Sequence, residues 1–298
     1  MFNRSGNDIF VTRAAAIRPM VDGVLDDSLL AKEKRSPKIG ILPLKARMVL
    51  AAAAQCLPPS LLAAEAPSTT VGISLGTAYG SMDVAELCRH TVQGDGFKHV
   101  VPSWYATGLP NATAAIIAAL YKLGGPNLTF LGYQAGIDAI IHGCRQIASA
   151  RVSTMLAGGF DMPSAAIGAR LANAYQDHPA GRIEPGVGLL CLSSAATDGS
   201  TLARIVGWAQ QGRRIGIAPG ARIEAVVAQA MAHAQLRTTP HVVHVIDRHY
   251  LERAGDQLAA SAPIYLVEQV LDQQGGGLHA VVTEGLGQSD TCLLLEKT

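Results

Sequence analysis

A chain of 298 residues, 49% hydrophobic, 16% charged and carrying a net charge of +1, holds enough apolar material for a large core. Its Lys and Arg residues are scattered, which excludes the basic stripe of a nucleic-acid or anionic-membrane binder. No apolar run reaches membrane-spanning length, and the first ten residues contain no apolar signal segment, so the protein is expected in the cytoplasm.

Ile9 to Ile17 reads as an opening strand, and Val21 to Gly40, polar and broken by Pro37, as a surface loop with a short helix. Lys45 to Cys56 is a strong helix former closed by Pro58-Pro59. Thr70 to Leu75 is a buried strand, followed by the glycine-flanked loop Gly76 to Gly80 and a helix over Ser81 to His90 with Ser81 as N-cap. Pro102 to Pro110, with Trp104 and Tyr105, reads as irregular, and Asn111 or Thr113 starts an apolar helix over Ala114 to Leu123. Beyond Gly125-Pro126, Asn127 to Gly132 is strand-like, Gln134-Ala135-Gly136 makes a tight bend, and Ile137, Ile140, Ile141 and Cys144 have helical spacing. Val152 to Leu156 is a strand ending in Ala157-Gly158-Gly159-Phe160-Asp161, and a helix is expected over Ser164 to Tyr175.

After a polar stretch, Asp177 to Pro185, a second series begins. Gly186 to Leu192, Ala203 to Trp208, Val242 to Ile246, Ala280 to Thr283 and Thr291 to Leu295 read as strands, with helices over Ile223 to Leu236 and Leu258 to Leu271. Strand–helix alternation in both series predicts an α/β protein with two related halves, residues 1–180 and 181–298. The five cysteines (Cys56, Cys88, Cys144, Cys191 and Cys292) are far apart without metal-ligand spacing and read as reduced core residues; no metal or cofactor is expected.

The bend at Tyr133-Gln134 is the chemical centre of the sequence. A strand turning sharply into a buried helix presents the turn residue to unpaired N–H groups and the positive end of the helix dipole, where a thiol is activated. Here the bend offers Tyr133 and Gln134, and neither is an activated acyl-accepting nucleophile.

Over nearly its whole length the chain resembles the β-ketoacyl synthases of the thiolase fold. The fragments that carry the resemblance are Phe10-Val11-Thr12, Arg47 to Ala52, Gly72 to Thr77 with Gly80, Gly125-Pro126 through Ile140, Leu156-Ala157-Gly158-Gly159 and Gly285-Leu286-Gly287-Gln288. The resemblance implies a layered α/β/α/β/α architecture of duplicated βαβ halves, truncated in the C-terminal half. It marks Thr77, Gly285, Leu286 and Gly287 as acyl-channel or loop candidates. The family's nucleophilic Cys falls at Gln134 when counted from Gly125-Pro126 and at Tyr133 when counted back from Ala139-Ile140. Gln134 to Ala139 is similar to the corresponding segment of chain-length factors, the non-condensing partners of type II polyketide ketosynthases, in which Gln replaces Cys; Asp138 and Arg145-Gln146 favour that register. Val243 to His249 resembles the strand ending in the family's first catalytic His, with Asp256 near the downstream Asp. The motif that should follow is replaced by Tyr250-Leu251-Glu252-Arg253, and the second histidine motif has no match. His249 is therefore either a remnant oxyanion donor or a capping histidine at a strand end, and His279, placed before the closing strand, reads as structural.

Condensation needs a thiolate to accept the acyl group and two imidazoles to stabilise the charge formed on decarboxylation and attack. The resemblance therefore implies a catalytically degenerate subunit that forms a heterodimer with an active ketosynthase in a type II polyketide or fatty-acid system, polyene synthesis included, and works with an acyl carrier protein. In this family the subunits join through the strand before the elbow, here Leu128, Thr129, Phe130, Leu131 and Gly132. Arg213-Arg214 with Arg222 is either a carrier-protein contact or a solvated loop. The alternatives are a malonyl-carrier-protein decarboxylase using the Gln site, and a self-associating module in which the same strand pairs with its own copy.

Overall fold

Alanine-rich runs form helix α1 (Leu44–Cys56), yet Ala14, Ala15 and Ala16 lie in a strand, so sheet pairing overrides local preference there. The computed structural model describes residues 8–18, 42–164, 167–170, 183–196, 201–213, 216–273, 275–284 and 289–297. The loop expected over Val21 to Gly40, most of the helix expected over Ser164 to Tyr175, and Gly285, Leu286 and Gly287 lie outside the described residues.

Nine strands join in the order β3-β2-β4-β5-β1-β6-β9-β8-β7: β1 (Ile9–Ile17), β2 (Val71–Thr77), β3 (Asn127–Leu131), β4 (Thr154–Asp161), β5 (Gly186–Ser193), β6 (Ala203–Gly212), β7 (Val242–Ile246), β8 (Gly277–Thr283) and β9 (Ser289–Lys297). The order repeats about its centre. β2 lies parallel to β4, which is followed by antiparallel β5 and β1; β7 lies parallel to β8, followed by antiparallel β9 and β6. The two series meet in a short antiparallel contact, with Phe10 opposite Arg204. β3, parallel to β2, has no counterpart in the second series among the described residues. By pairing, β5 groups with β1 to β4.

Three apolar cores give the layers. Helices α1 (Leu44–Cys56) and α5 (Ala112–Tyr121) cover the outer face of the first series, and α7 (Pro219–Ala234) covers that of the second. The middle core joins both series around α6 (Ala135–Ala148) and the helical segment before β8. Ala51, Ala52 and Ala53 are fully buried in α1, where small side chains let helix and sheet approach closely. The Ile137, Ile140, Ile141, Cys144 and Ile147 stripe of α6 is buried, and each large aliphatic chain contributes about 1.5–3 kcal/mol. The layering is α/β/α/β/α, as the sequence implies.

Several local expectations need correction. The segment Pro102 to Pro110 contains a short helix, α4 (Ser103–Thr107), rather than irregular chain throughout. Ser81 precedes α3 (Met82–Gly94) but makes no side-chain cap; its hydroxyl donates to the Leu109 carbonyl instead. Pro59–Leu62 forms a four-residue helix, α2. Arg248–Ala254 is a helix, α8, capped by Asp247, whose carboxylate accepts from the Tyr250 N–H at 2.8 Å. The single helix expected over Leu258 to Leu271 is a 3-10 turn, then α9 (Ser261–Tyr265), then a π-helical turn (Leu266–Leu271). His279 lies within β8, stacked on His244, not before the strand.

Candidate functional site at the facing elbows

The N-terminal ends of the two inner helical segments, α6 and α9, meet at the centre of the molecule. A Cβ on Gly136, in the first turn of α6, would lie 2.1 Å from the Ala259 carbonyl oxygen, and one on Gly159 would lie 2.3 Å from the same atom. Gly76 is equally constrained, with the Ala135 backbone 2.0 Å from its would-be Cβ. The glycines of three motifs thus serve one contact: they let β2, β4, α6 and the turn at Ala259 touch backbone to backbone. Leu258 takes φ +57° with its side chain buried, a strained conformation held by the surrounding contacts.

Asp161, at the end of β4, stitches this junction. Its carboxylate accepts from Thr77 Oγ1 at 2.7 Å, from the Ala78 N–H at 2.8 Å, from the Tyr79 N–H at 3.3 Å and from the Ala259 N–H at 2.9 Å. Burial pushes its pKa up to about 6, and these donors hold it from rising further. Thr77 is fully buried and also accepts from the Gly80 N–H at 3.0 Å. The cation beside this loop is Lys45, buried and paired with Asp83 at 2.5 Å; burial lowers its pKa. Asp256 holds the second elbow, accepting from the Leu258 N–H at 2.7 Å and Ser261 Oγ at 3.1 Å.

Gln134 occupies the N-cap position of α6 and is 7% exposed. Its Nε2 donates to Thr283 Oγ1 at 2.9 Å, and its Oε1 accepts from Ser289 Oγ at 2.9 Å. Both partners are hydroxyls, at the end of β8 and the start of β9. Gln210 extends the network, donating to Asp138 Oδ1 at 2.9 Å and reaching Ser289 Oγ at 3.3 Å. The residues that follow these two hydroxyls, Glu284 and Asp290, both pair with Arg222 of α7, the latter at 3.1 Å. The neck between β8 and β9 is therefore clamped from one side by Gln134 and from the other by Arg222. Nearly buried in these ion pairs, Arg222 is committed internally rather than to a basic surface patch.

The remaining candidates lie elsewhere. His249 sits in the first turn of α8 with its side chain 85% exposed, 3.6 Å from Glu252. The bonds of Gln134 run to hydroxyls, not to an imidazole. Tyr133 is half-buried, edge-on to Tyr79 with ring centroids 6.4 Å apart. Trp104 is half-buried on α4. β3 is one of the two edge strands of the sheet and, among the described residues, pairs with β2 alone. The buried thiols are inert: burial pushes Cys144 and Cys292 up to about 12, and Cys56 and Cys191 also upward. Cys88, on α3, is half-buried rather than a core residue. Among the described residues no group of three His, Cys, Asp or Glu side chains is arranged to hold a metal ion, and no helix is long and apolar enough to cross a membrane.

Residues 40–178, which carry β2 to β4 and the Gln134 elbow, match the model of the β-ketoacyl synthase N-terminal domain. That stretch, a little under half of the chain, is similar to the β-ketoacyl synthase family. Two curated relatives are named 3-oxoacyl-[acyl-carrier-protein] synthase 2. The one from Coxiella burnetii is 27% identical over 105 residues, 35% of this chain and 25% of that protein. The one from Vibrio harveyi is 28% identical over 121 residues, 40% of this chain and 29% of that protein. The matches thus span only about a quarter of the length of these relatives. Solved ketosynthase structures share the fold over the whole chain. An ishigamide ketosynthase/chain length factor matches with a TM-score of 0.76 at 19% identity, covering 97% of this chain and 99% of that one. A type II polyketide synthase acyl-carrier protein in complex with its ketosynthase bound to a hexaketide matches with a TM-score of 0.75 at 14% identity, covering 99% and 100%. A β-ketoacyl synthase from Burkholderia phymatum matches with a TM-score of 0.67 at 13% identity, covering 98% and 100%. At the strand-to-helix elbow inside that match this chain carries Gln134, whose amide makes two hydrogen bonds.

Proposed function

We propose that this chain is a non-condensing, ketosynthase-like subunit of a type II polyketide or fatty-acid system, similar in role to a chain-length factor. It pairs with an active ketosynthase through β3 and acts on chains carried by an acyl carrier protein, in the cytoplasm. The observation that carries the reading is the Gln134 amide, engaged at both ends by Thr283 and Ser289. An amide so held offers no nucleophile to an incoming thioester, and both of its polar atoms already have a hydrogen-bond partner. The exposed position of His249 supports this reading over decarboxylation, which needs imidazole donors directed at the reacting carbonyl.

The test is coexpression with the ketosynthase encoded nearest to this gene. The expected result is a one-to-one complex in which the ketosynthase gains stability or changes its product length. A chain that purifies alone and leaves that enzyme's stability and products unchanged would overturn the proposal.

A further inference from the structure

We propose that the open edge of β7 binds a second copy of this chain, whose own β7 adds to it as an antiparallel strand about a two-fold axis at His244. β7 lies at the opposite end of the sheet from β3, so this contact neither rests on the pairing proposed above nor competes with it.

The course of the chain explains why this edge is open. In the first series, the connection from β2 to β4 supplies β3, which covers the outer side of β2. In the second series, the connection from β7 to β8 spans residues 247–276, and its described residues, all but 274, form helices and turns and no strand. Among the described residues β7 therefore pairs with β8 alone. Its sequence, Val-Val-His-Val-Ile, favours a strand and contains no proline and no charge, and its ladder with β8 runs without a bulge. Those are the usual devices that keep an edge from pairing, and β7 has none of them. Val242 and Val243 are 42% and 44% exposed.

Complementarity of the segment with itself selects the occupant. With His244 of both copies on the axis, Val243 of one copy stands opposite Val245 of the other, and Val242 opposite Ile246. One step further out, His241 stands opposite Asp247, at both ends of the pair. Asp247 still has extended backbone, φ −116° and ψ −177°, and only one of its carboxylate oxygens accepts from the Tyr250 N–H. His241 Nδ1 accepts from the Leu278 N–H at 3.0 Å, which leaves the ring proton on Nε2 as a donor for that carboxylate. A parallel pairing in register would instead set each Asp247 against its own copy. The other charged groups nearby are engaged: Arg248 pairs with Glu252, and Lys297 donates to the Val270 and Gln273 carbonyls. His244 is hydrogen-bonded within its own chain to Tyr265 at 3.0 Å and His279 at 3.1 Å, which fixes the centre of the strand. An edge of five residues is short against the roughly 800 Å² per partner of a stable interface, so the dimer is weak and depends on concentration.

The experiment is sedimentation equilibrium of the purified full chain over a wide concentration range, with no ketosynthase present. The wild type is compared with Val243→Asp, His241→Glu, His241→Lys and, at the other sheet edge, Leu131→Asp. Each variant replaces an exposed side chain, and unchanged thermal melting establishes that the fold is kept. The expected result is a monomer–dimer equilibrium for the wild type, weakened at least about tenfold by Val243→Asp and by His241→Glu, which sets like charges opposite each other. His241→Lys loses the same imidazole but keeps a cation opposite Asp247, so it should stay within about threefold of the wild type, as should Leu131→Asp. A wild type that remains monomeric at every concentration would overturn the proposal. Dimers lost in Leu131→Asp and kept in Val243→Asp would assign self-association to β3 and overturn it equally. Equal weakening by His241→Glu and His241→Lys would overturn the register about His244.

Discussion

Gln134 ties together parts of the chain that are far apart in sequence. Its amide joins the first turn of α6 to the ends of β8 and β9, so the residue at the elbow holds two halves of the molecule together. Replacing it with Leu keeps the volume and leaves the Thr283 and Ser289 hydroxyls without that partner. We expect Gln134→Leu to lose about 2 kcal/mol of stability in denaturant unfolding. A loss below a few tenths would mean that the clamp at Arg222 suffices. Asp161 gives a test by pH. Its folded-state pKa, about 6, lies above the ordinary carboxylate value of about 3.9. The native state therefore binds the proton more tightly than the unfolded chain, and the stabilisation from this proton is fully present below about pH 3.9 and lost as pH rises through 6. Between pH 7.5 and pH 5 the wild type should gain about 1.4 kcal/mol relative to Asp161→Asn, measured as the difference of two unfolding curves. The absence of that divergence would contradict the buried carboxylate. Gln134 was legible in the sequence because a turn between strand and helix has a known chemistry. Its partners were not, since Thr283 and Ser289 lie 149 and 155 residues away and no local pattern marks either. Asp161 was hidden in the same way; only its place at a strand end, after two glycines, hinted at exposure to a loop.

Elements with strong periodicity or composition were read nearly to their ends. α1 was anticipated from its alanines, and α6 from the isoleucine stripe that the middle core buries. Elements whose character is set by their neighbours were not. α8 exists because Asp247 caps it, and it was read as the continuation of a strand motif. The segment from Leu258 to Leu271 mixes three helical forms because it must start beneath Gly136 and Gly159 and still reach β8. That tight fit yields a third prediction. Gly136→Ala places a methyl 2.1 Å from the backbone oxygen of Ala259, and no flexible side chain can yield there. The variant should lose about 3 kcal/mol, the upper end for overpacking, or fail to accumulate in soluble form. Wild-type melting would show that the two elbows are not in contact.

Across the molecule, alternation of strands and helices was enough to reach an α/β architecture with related halves. What alternation could not give is the way the halves join. The β1–β6 contact pairs three residues with partners almost two hundred positions away, and the junction of α6 with α9 depends on glycines whose purpose appears only when the backbones meet. Among the described residues the second series has no counterpart of β3, and its elbow presents Leu258 and Ala259, whose buried, strained turn delivers an N–H to Asp161. Both elbows meet in one hydrogen-bonded joint at the centre. On the function proposed above, the chain would contribute surface and stability to a partner.

Transfer of an acyl group to the protein tests this most directly. Purified wild-type chain is incubated with radiolabelled acyl carrier protein in the absence of any ketosynthase, then separated under denaturing conditions. The account predicts no label on the wild type and hydroxylamine-sensitive label on Gln134→Cys, whose thiol would sit at the N-terminus of α6. Stable, stoichiometric label on the wild-type chain would contradict it.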